Sequence, residues 1–145
     1  GVELNLHYHP HFLHNLHLEQ SYSYINTTNR DDDSDLFFTP ANKIKTKLNL
    51  DLDIYSLPIG LKNLSLYHLY AFEQKNIVSY ESASDSYSIL NAELLLNPVG
   101  NLSVLLGVKN IFNKEYIPHL SRIKEVAGGV PEPGRSFNIS LKYDF

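Results

Sequence analysis

From Ser136 to Phe145 the chain alternates without a break. Phe137, Ile139, Leu141, Tyr143 and Phe145 are apolar or aromatic, while Ser136, Asn138, Ser140, Lys142 and Asp144 are polar. A period of two belongs to a β-strand, whose successive side chains point to opposite faces. Such a strand needs an apolar medium on one side and a polar one on the other. Chain ends are ordinarily polar and frayed, so an aromatic Phe145 in last position calls for a setting that accepts it. The wall of a membrane β-barrel is one: lipid outside, a watery or plugged lumen inside, aromatics at both interfaces. The segment reads as the closing strand of such a barrel.

The same alternation recurs along the chain. Val2, Leu4, Leu6 and Tyr8 form one apolar set, with Glu3, Asn5 and His7 between them. After a turn at His9-Pro10-His11, a second set runs through Phe12, Leu16, Leu18, Tyr22 and Tyr24. The clearest strand has Ile44, Leu48, Leu50, Leu52 and Ile54 against Lys45, Lys47, Asn49, Asp51 and Asp53. Leu64, Leu66, Tyr70 and Phe72 mark a fourth, with His68 an exception on its apolar face. Leu90, Ala92, Leu94 and Leu96 mark a fifth. Leu102, Val104, Leu106 and Val108, running on towards Phe112 and Tyr116, mark a sixth, and the terminal strand makes seven.

Short connections (9–11, 56–62, 97–101) alternate with long polar ones (27–42, 74–86, 118–134). Asn97-Pro98-Val99-Gly100-Asn101 carries turn residues suited to a tight hairpin. Short turns at one end and long loops at the other is the arrangement of a membrane barrel, periplasm against exterior. A soluble antiparallel barrel also alternates, so the pattern alone leaves that alternative open. In the first hairpin, pairing Tyr8 with Phe12 sets Leu4 opposite Leu16, Val2 opposite Leu18 and Glu3 opposite His17. A slip of one residue would set apolar against polar throughout and is excluded. A slip of two keeps the faces, and that alternative stays open.

Totals narrow the function. With 12 Lys plus Arg against 16 Asp plus Glu in 145 residues, no basic nucleic-acid surface is present. There is no Cys, hence no disulfide framework or thiolate metal site. No stretch approaches the roughly 18 consecutive apolar residues of a membrane helix. The mean hydropathy of −0.23 is that of alternating strands as much as of a soluble protein. Ten Tyr and seven Phe supply aromatic girdles. Single-chain bacterial barrels have an even number of strands, about eight or more, and an open sheet in lipid would leave unpaired edges. Residues 1–145 are therefore expected to be the C-terminal part of a larger barrel domain. The opening Gly-Val-Glu-Leu, without Met or an export signal, fits that expectation.

Leu106 to Tyr116 reads Leu-Gly-Val-Lys-Asn-Ile-Phe-Asn-Lys-Glu-Tyr, followed by a loop, Pro133-Gly134-Arg135 and the terminal aromatic strand. This order resembles the C-terminal signature of TonB-dependent outer-membrane receptors. Asn110, Phe112, Asn113, Lys114, Tyr116, Pro133, Gly134, Arg135 and Phe145 fit it, with Ile111 where the family has Leu. Physical roles can be given to these residues independently: Asn110 to hold the loop base, Phe112 and Tyr116 to sit in an interfacial girdle, Gly134 to permit a positive φ, Arg135 to pair with a phosphate or carboxylate. The resemblance implies a barrel of about 22 strands with a plugged lumen. It further implies uptake of a scarce nutrient rather than catalysis. The partners it implies are outer-membrane lipid, the barrel-assembly machinery, TonB through a plug-bearing N-terminal region that these residues lack, and a small nutrient or metal-chelate ligand. The terminal strand, Phe137, Ile139, Leu141, Tyr143 and Phe145, becomes the signal read on insertion.

Constellations with chemistry are few. His7, His9, His11, His14 and His17 crowd the start, and His7 with His9 on one strand face could share a metal ion. Their place beside a short turn, far from the long loops, favours ordinary polar and interface roles, so no metal site or cofactor is assigned. Asp31, Asp32, Asp33 and Asp35 lack the spaced glycine of a calcium loop and read as a solvated segment. Lys43, Lys45 and Lys47 face inward near the long-loop end, where they could attract an anionic complex or pair with Glu19. The ligand-contact candidates are His119, Arg122, Lys43 and Lys45. No nucleophile motif or phosphate loop supports an enzyme.

The expectation is an all-β, antiparallel transmembrane β-barrel in the outer membrane of a Gram-negative bacterium. Its function would be TonB-energised uptake of a ferric siderophore or other metal complex, iron being chosen from what is common in the family. The alternative is a small structural or adhesive outer-membrane barrel without energy coupling.

Overall fold

The structure is a computed structural model and describes residues 1–53, 59–126 and 129–145. Its elements are seven strands: β1 (Val2–Tyr8), β2 (Leu16–Tyr24), β3 (Lys43–Asp51), β4 (Leu61–Ala71), β5 (Tyr87–Val99), β6 (Leu102–Lys109) and β7 (Ser136–Tyr143). Each pairs antiparallel with the next, so the sheet is an up-and-down meander in sequence order with β1 and β7 at its edges. No helix among the described residues is long and apolar enough to cross a membrane.

The registers fuse the seven apolar sets into one surface. Leu18 lies opposite Leu48, Leu48 opposite Leu66, Leu64 opposite Leu94, Leu94 opposite Leu106, and Leu106 opposite Ile139. On the other face Glu19 lies opposite Lys47, Lys47 opposite Tyr67, Tyr67 opposite Asn91, and Gly107 opposite Asn138. Aromatics band the apolar face at its ends. Tyr22 and Tyr70 meet Phe72 edge to face, 6.4 and 4.8 Å between ring centroids, at the long-loop end. Tyr143 meets Phe145 at 5.1 Å at the short-turn end.

Little of this apolar material is covered. Phe137, Ile139 and Leu141 are each about 70% exposed. The buried hydrophobic residues among those described are only Ala41, Ala71, Tyr87 and Ile89. A soluble domain does not leave an apolar sheet face of this extent in water; a lipid-facing wall does. The fold is a section of a transmembrane β-barrel wall. What core there is, Ala71, Tyr87 and Ile89 with Leu69 and Tyr116 against them, sits on the polar face beneath the long loops.

Three details differ from the sequence reading. In the first hairpin Tyr8 pairs with Leu18, not Phe12, and Glu3 with Ser23, not His17: the offset is six residues, an even number, so the faces survive. The cause lies in 9–15, where the Leu13 amide bonds the Pro10 carbonyl at 3.1 Å and the Leu16 amide the Leu13 carbonyl at 3.0 Å. Two successive turns take up residues assigned to strand, and Phe12 projects from one of them. Secondly, β5 continues through a register irregularity between Leu96 and Val99, so the tight turn is Gly100-Asn101 alone. Thirdly, β6 stops at Lys109, where Asn110 takes a φ of +51°, and the last long connection spans 110–135. Ile54, and the Ser56 to Pro58 part of the second short connection, lie outside the described residues.

Candidate functional site

The connections 25–42, 72–86 and 110–135 leave the same end of the sheet, and each is tied down by side-chain hydrogen bonds together with a few isolated backbone bridges. Asn110 is the base of the last. Its Oδ1 accepts the Lys114 amide at 2.9 Å, its Nδ2 donates to the Lys114 carbonyl at 2.8 Å and to that of Pro133 at 3.4 Å. Its own amide donates to Asn91 Oδ1 on β5 at 2.8 Å. Asn113, at φ +52°, accepts the Arg135 amide at 2.8 Å, and the Glu132 amide bonds the Tyr116 carbonyl at 2.9 Å. The two limbs of the loop are thereby closed at the root.

The Asn-Phe-Asn-Lys and Pro-Gly-Arg residues thus meet in space. Gly134 stands where a Cβ would fall 2.5 Å from Asn113 Oδ1, so close approach, not a positive φ, explains it. Phe112 is exposed, as a girdle residue would be. Tyr116 is not a girdle residue. It folds back onto the polar face and stacks on Tyr87 with centroids 4.4 Å apart, because β6 ends before it and the loop reverses. Burial there raises the Tyr116 phenol above its ordinary range. The Arg135 side chain has no ion-pair partner among the described residues.

Further out the three loops lock onto one another. Gln74 Nε2 donates to the Thr39 carbonyl at 3.1 Å, and Gln74 bridges Ser84 backbone to backbone. The Phe38 amide donates to Glu81 Oε1 at 2.7 Å. Ser82 donates through amide and hydroxyl to Glu125 Oε1, each at 2.8 Å, and Lys124 Nζ donates to the Ala83 carbonyl at 2.8 Å. Ser84 Oγ and His119 Nδ1 are 2.9 Å apart. The Ser82 hydrogen bonds hold the Glu125 carboxyl below its usual range. Burial pushes the His119 imidazole down, aided by Lys124 and opposed by Glu81 and Glu125. His119 Nε2 is buried and finds no hydrogen-bond partner among the described residues.

The ligand-contact candidates fall in three adjoining places. His119 and Arg122 line a cavity of about 250 Å³ with Phe38, Tyr80, Glu81 and Glu125. Lys43, at the top of β3, shares a small void of about 30 Å³ with His119 and Asp85. Lys45 lies further down the sheet, in a groove of about 350 Å³ lined also by Glu19, Lys47, Tyr67 and Asn91. Lys47 pairs with Glu19 at 3.4 Å, whereas Lys43 and Lys45 have no ion pair among the described residues. Asp32 bonds Ser34 through amide and hydroxyl at 3.1 and 2.7 Å, so that acidic run forms a local turn. Glu81, Ser84, Lys124 and Glu125 were missed in the sequence, since lone charges in non-periodic loops carry no signal until their partners are known. The cavity offers charges of both signs, an imidazole and two aromatic rings. That set can grip a small polar complex.

No protein-family model matches the chain, and no curated protein matches it. Solved structures do. The copper transporter OprC covers 99% of this chain with a TM-score of 0.82 at 22% identity. The FrpB iron transporter from Neisseria meningitidis (F3-3 variant) covers 99% with a TM-score of 0.70 at 20% identity. The chain has the fold of a stretch of these transporters. It spans 23% and 22% of their lengths. The resemblance drawn from residues 106–145 and the architecture of the sheet therefore agree at the level of fold.

Proposed function

We propose that residues 1–145 form the C-terminal part of the barrel domain of an outer-membrane receptor that takes up a metal complex. A ferric siderophore is the ligand class most in keeping with the family resemblance. The observation carrying this reading is the likeness of nearly the whole chain to barrel segments of a copper and an iron transporter. Support comes from the loop cluster, which places His119, Arg122, Glu81 and Glu125 around one cavity. The long-loop end is the cell exterior and the short-turn end the periplasm. Energy would come from TonB acting on a plug domain encoded upstream of Gly1, and the barrel-assembly machinery would insert the chain. The protein is a carrier, without a catalytic step.

The test is uptake by cells bearing or lacking the full-length gene, with and without active TonB. Radiolabelled iron, as a siderophore chelate, and copper are offered separately. Accumulation of either that needs both the gene and TonB supports the reading. Accumulation of neither, with the protein present in the outer membrane, overturns it.

A further inference from the structure

The β1–β2 hairpin gathers four side chains of metal-binding chemistry on one patch of the polar face. His7 lies opposite Glu19 in the ladder. One step nearer the turn His9 meets His17, their ring centroids 4.5 Å apart and their planes at 85°. Directly opposed residues have Cβ atoms about 5 Å apart, and residues two apart on a strand are separated by about 6.7 Å. His7, His9, His17 and Glu19 are thus the corners of one small rectangle. The pairing read from sequence concealed it by setting His17 opposite Glu3; the six-residue offset makes it.

We propose that His7, His9 and His17, with Glu19 as fourth ligand, bind a divalent transition-metal ion of the Cu2+, Zn2+ or Ni2+ class at the short-turn end of the barrel wall. Imidazole nitrogens with one carboxylate are a donor set such ions accept, whereas hard ions such as Ca2+ take oxygen. Among the described residues no three His, Cys, Asp or Glu side chains yet stand at coordinating distance. Binding therefore requires the rings to turn inwards over a fixed backbone. They are free to do so. His7 and His9 are exposed and His17 half-buried. None of the three holds a hydrogen bond or ion pair among the described residues. Glu19 meets Lys47 through Oε1, and its Oε2 has no hydrogen bond among the described residues. This site stands on the hairpin register and not on the transport reading. It lies at the opposite end of the wall from the His119 cavity, where an ion leaving the lumen for the periplasm would pass.

The test uses the full-length protein in detergent, with Cu2+ followed by electron paramagnetic resonance and Zn2+ and Ni2+ as competitors. The His119→Ala variant serves as background, removing the loop-end imidazole. The expected result is Cu2+ with imidazole-nitrogen couplings, lost in His9→Ala/His17→Ala. In Glu19→Gln binding should weaken by about tenfold or more, the scale on which even outer partners of a metal ligand count. Heat-modifiable gel migration checks that each barrel is folded. If the double variant fails to fold, His7→Gln and Glu19→Gln carry the same comparison. Absence of imidazole-bound Cu2+, or binding unchanged by these substitutions, overturns the proposal. Failed uptake in cells would leave this result standing.

Discussion

Asn110 offers the sharpest test of how the loop cluster is held. It is 4% exposed and sits at φ +51°. Replacing it with Ala removes the acceptor of the Lys114 amide at 2.9 Å and the donor to the Lys114 carbonyl at 2.8 Å. Each such bond contributes about 1 kcal/mol net, more where the surviving group is left dry. Ala also bears the left-handed backbone less well than Asn, by about 1 kcal/mol. The sum is about 3 kcal/mol, or about 100-fold in a local opening equilibrium at tenfold per 1.4 kcal/mol. Amide hydrogen exchange at Lys114, measured in the full-length protein in detergent, reads that equilibrium directly. Asn110→Gly keeps the turn and loses only the amide, so its exchange should fall between wild type and Asn110→Ala. Asn110→Asp keeps an acceptor for the Lys114 amide and should recover part of the protection. Exchange in Asn110→Ala equal to wild type, or faster exchange in the Gly variant than in the Ala variant, would refute the clasp.

Gly60, at φ +63°, accepts the Asn97 amide, and a Cβ on it would fall 1.9 Å from the Asn97 carbonyl oxygen. Gly60→Ala should cost about 2–3 kcal/mol in urea unfolding from micelles, while Gly100→Ala, with no atom of the described residues within 4 Å of its Cβ, should be near neutral. His119 has its imidazole pKa lowered from 6.5 by burial, so the folded loops favour the neutral ring. The stability it lends is present above 6.5 and is lost as pH falls from that value through the lower folded pKa. Limited proteolysis of 118–126 should therefore speed up on mild acidification, and His119→Gln should flatten the response. Phe145→Ser removes the ring that packs on Tyr143 at 5.1 Å. Less receptor should then reach the outer membrane, with ligand affinity per inserted molecule unchanged, as membrane fractionation and binding to the recovered protein would show.

What could be read from the sequence followed from a symmetry of strands. Side-chain direction has period two, so any even slip of register preserves which residues meet lipid. That is why the seven apolar sets and the barrel class were legible while the first hairpin was displaced by six residues: Val2, Leu4 and Leu6 face lipid under either pairing. Register decides everything that depends on particular neighbours. The His9–His17 contact and the His7–Glu19 pair exist only in the observed one. The loops have no period at all. Asn110 stands out in the sequence through the signature it belongs to, and its side-chain bonds to Lys114 agree with a place at the loop base. Tyr116 was misplaced because continuing the β6 pattern past Asn110 carried it to the wrong face. Glu81 and Glu125 were invisible for a deeper reason. Their meaning lies in the Phe38 and Ser82 amides they accept, both donated by backbone whose position only the fold supplies. Faces follow from composition along one strand, and sites from the pairing of two; a reading from sequence alone is secure up to the point where a second strand must be placed.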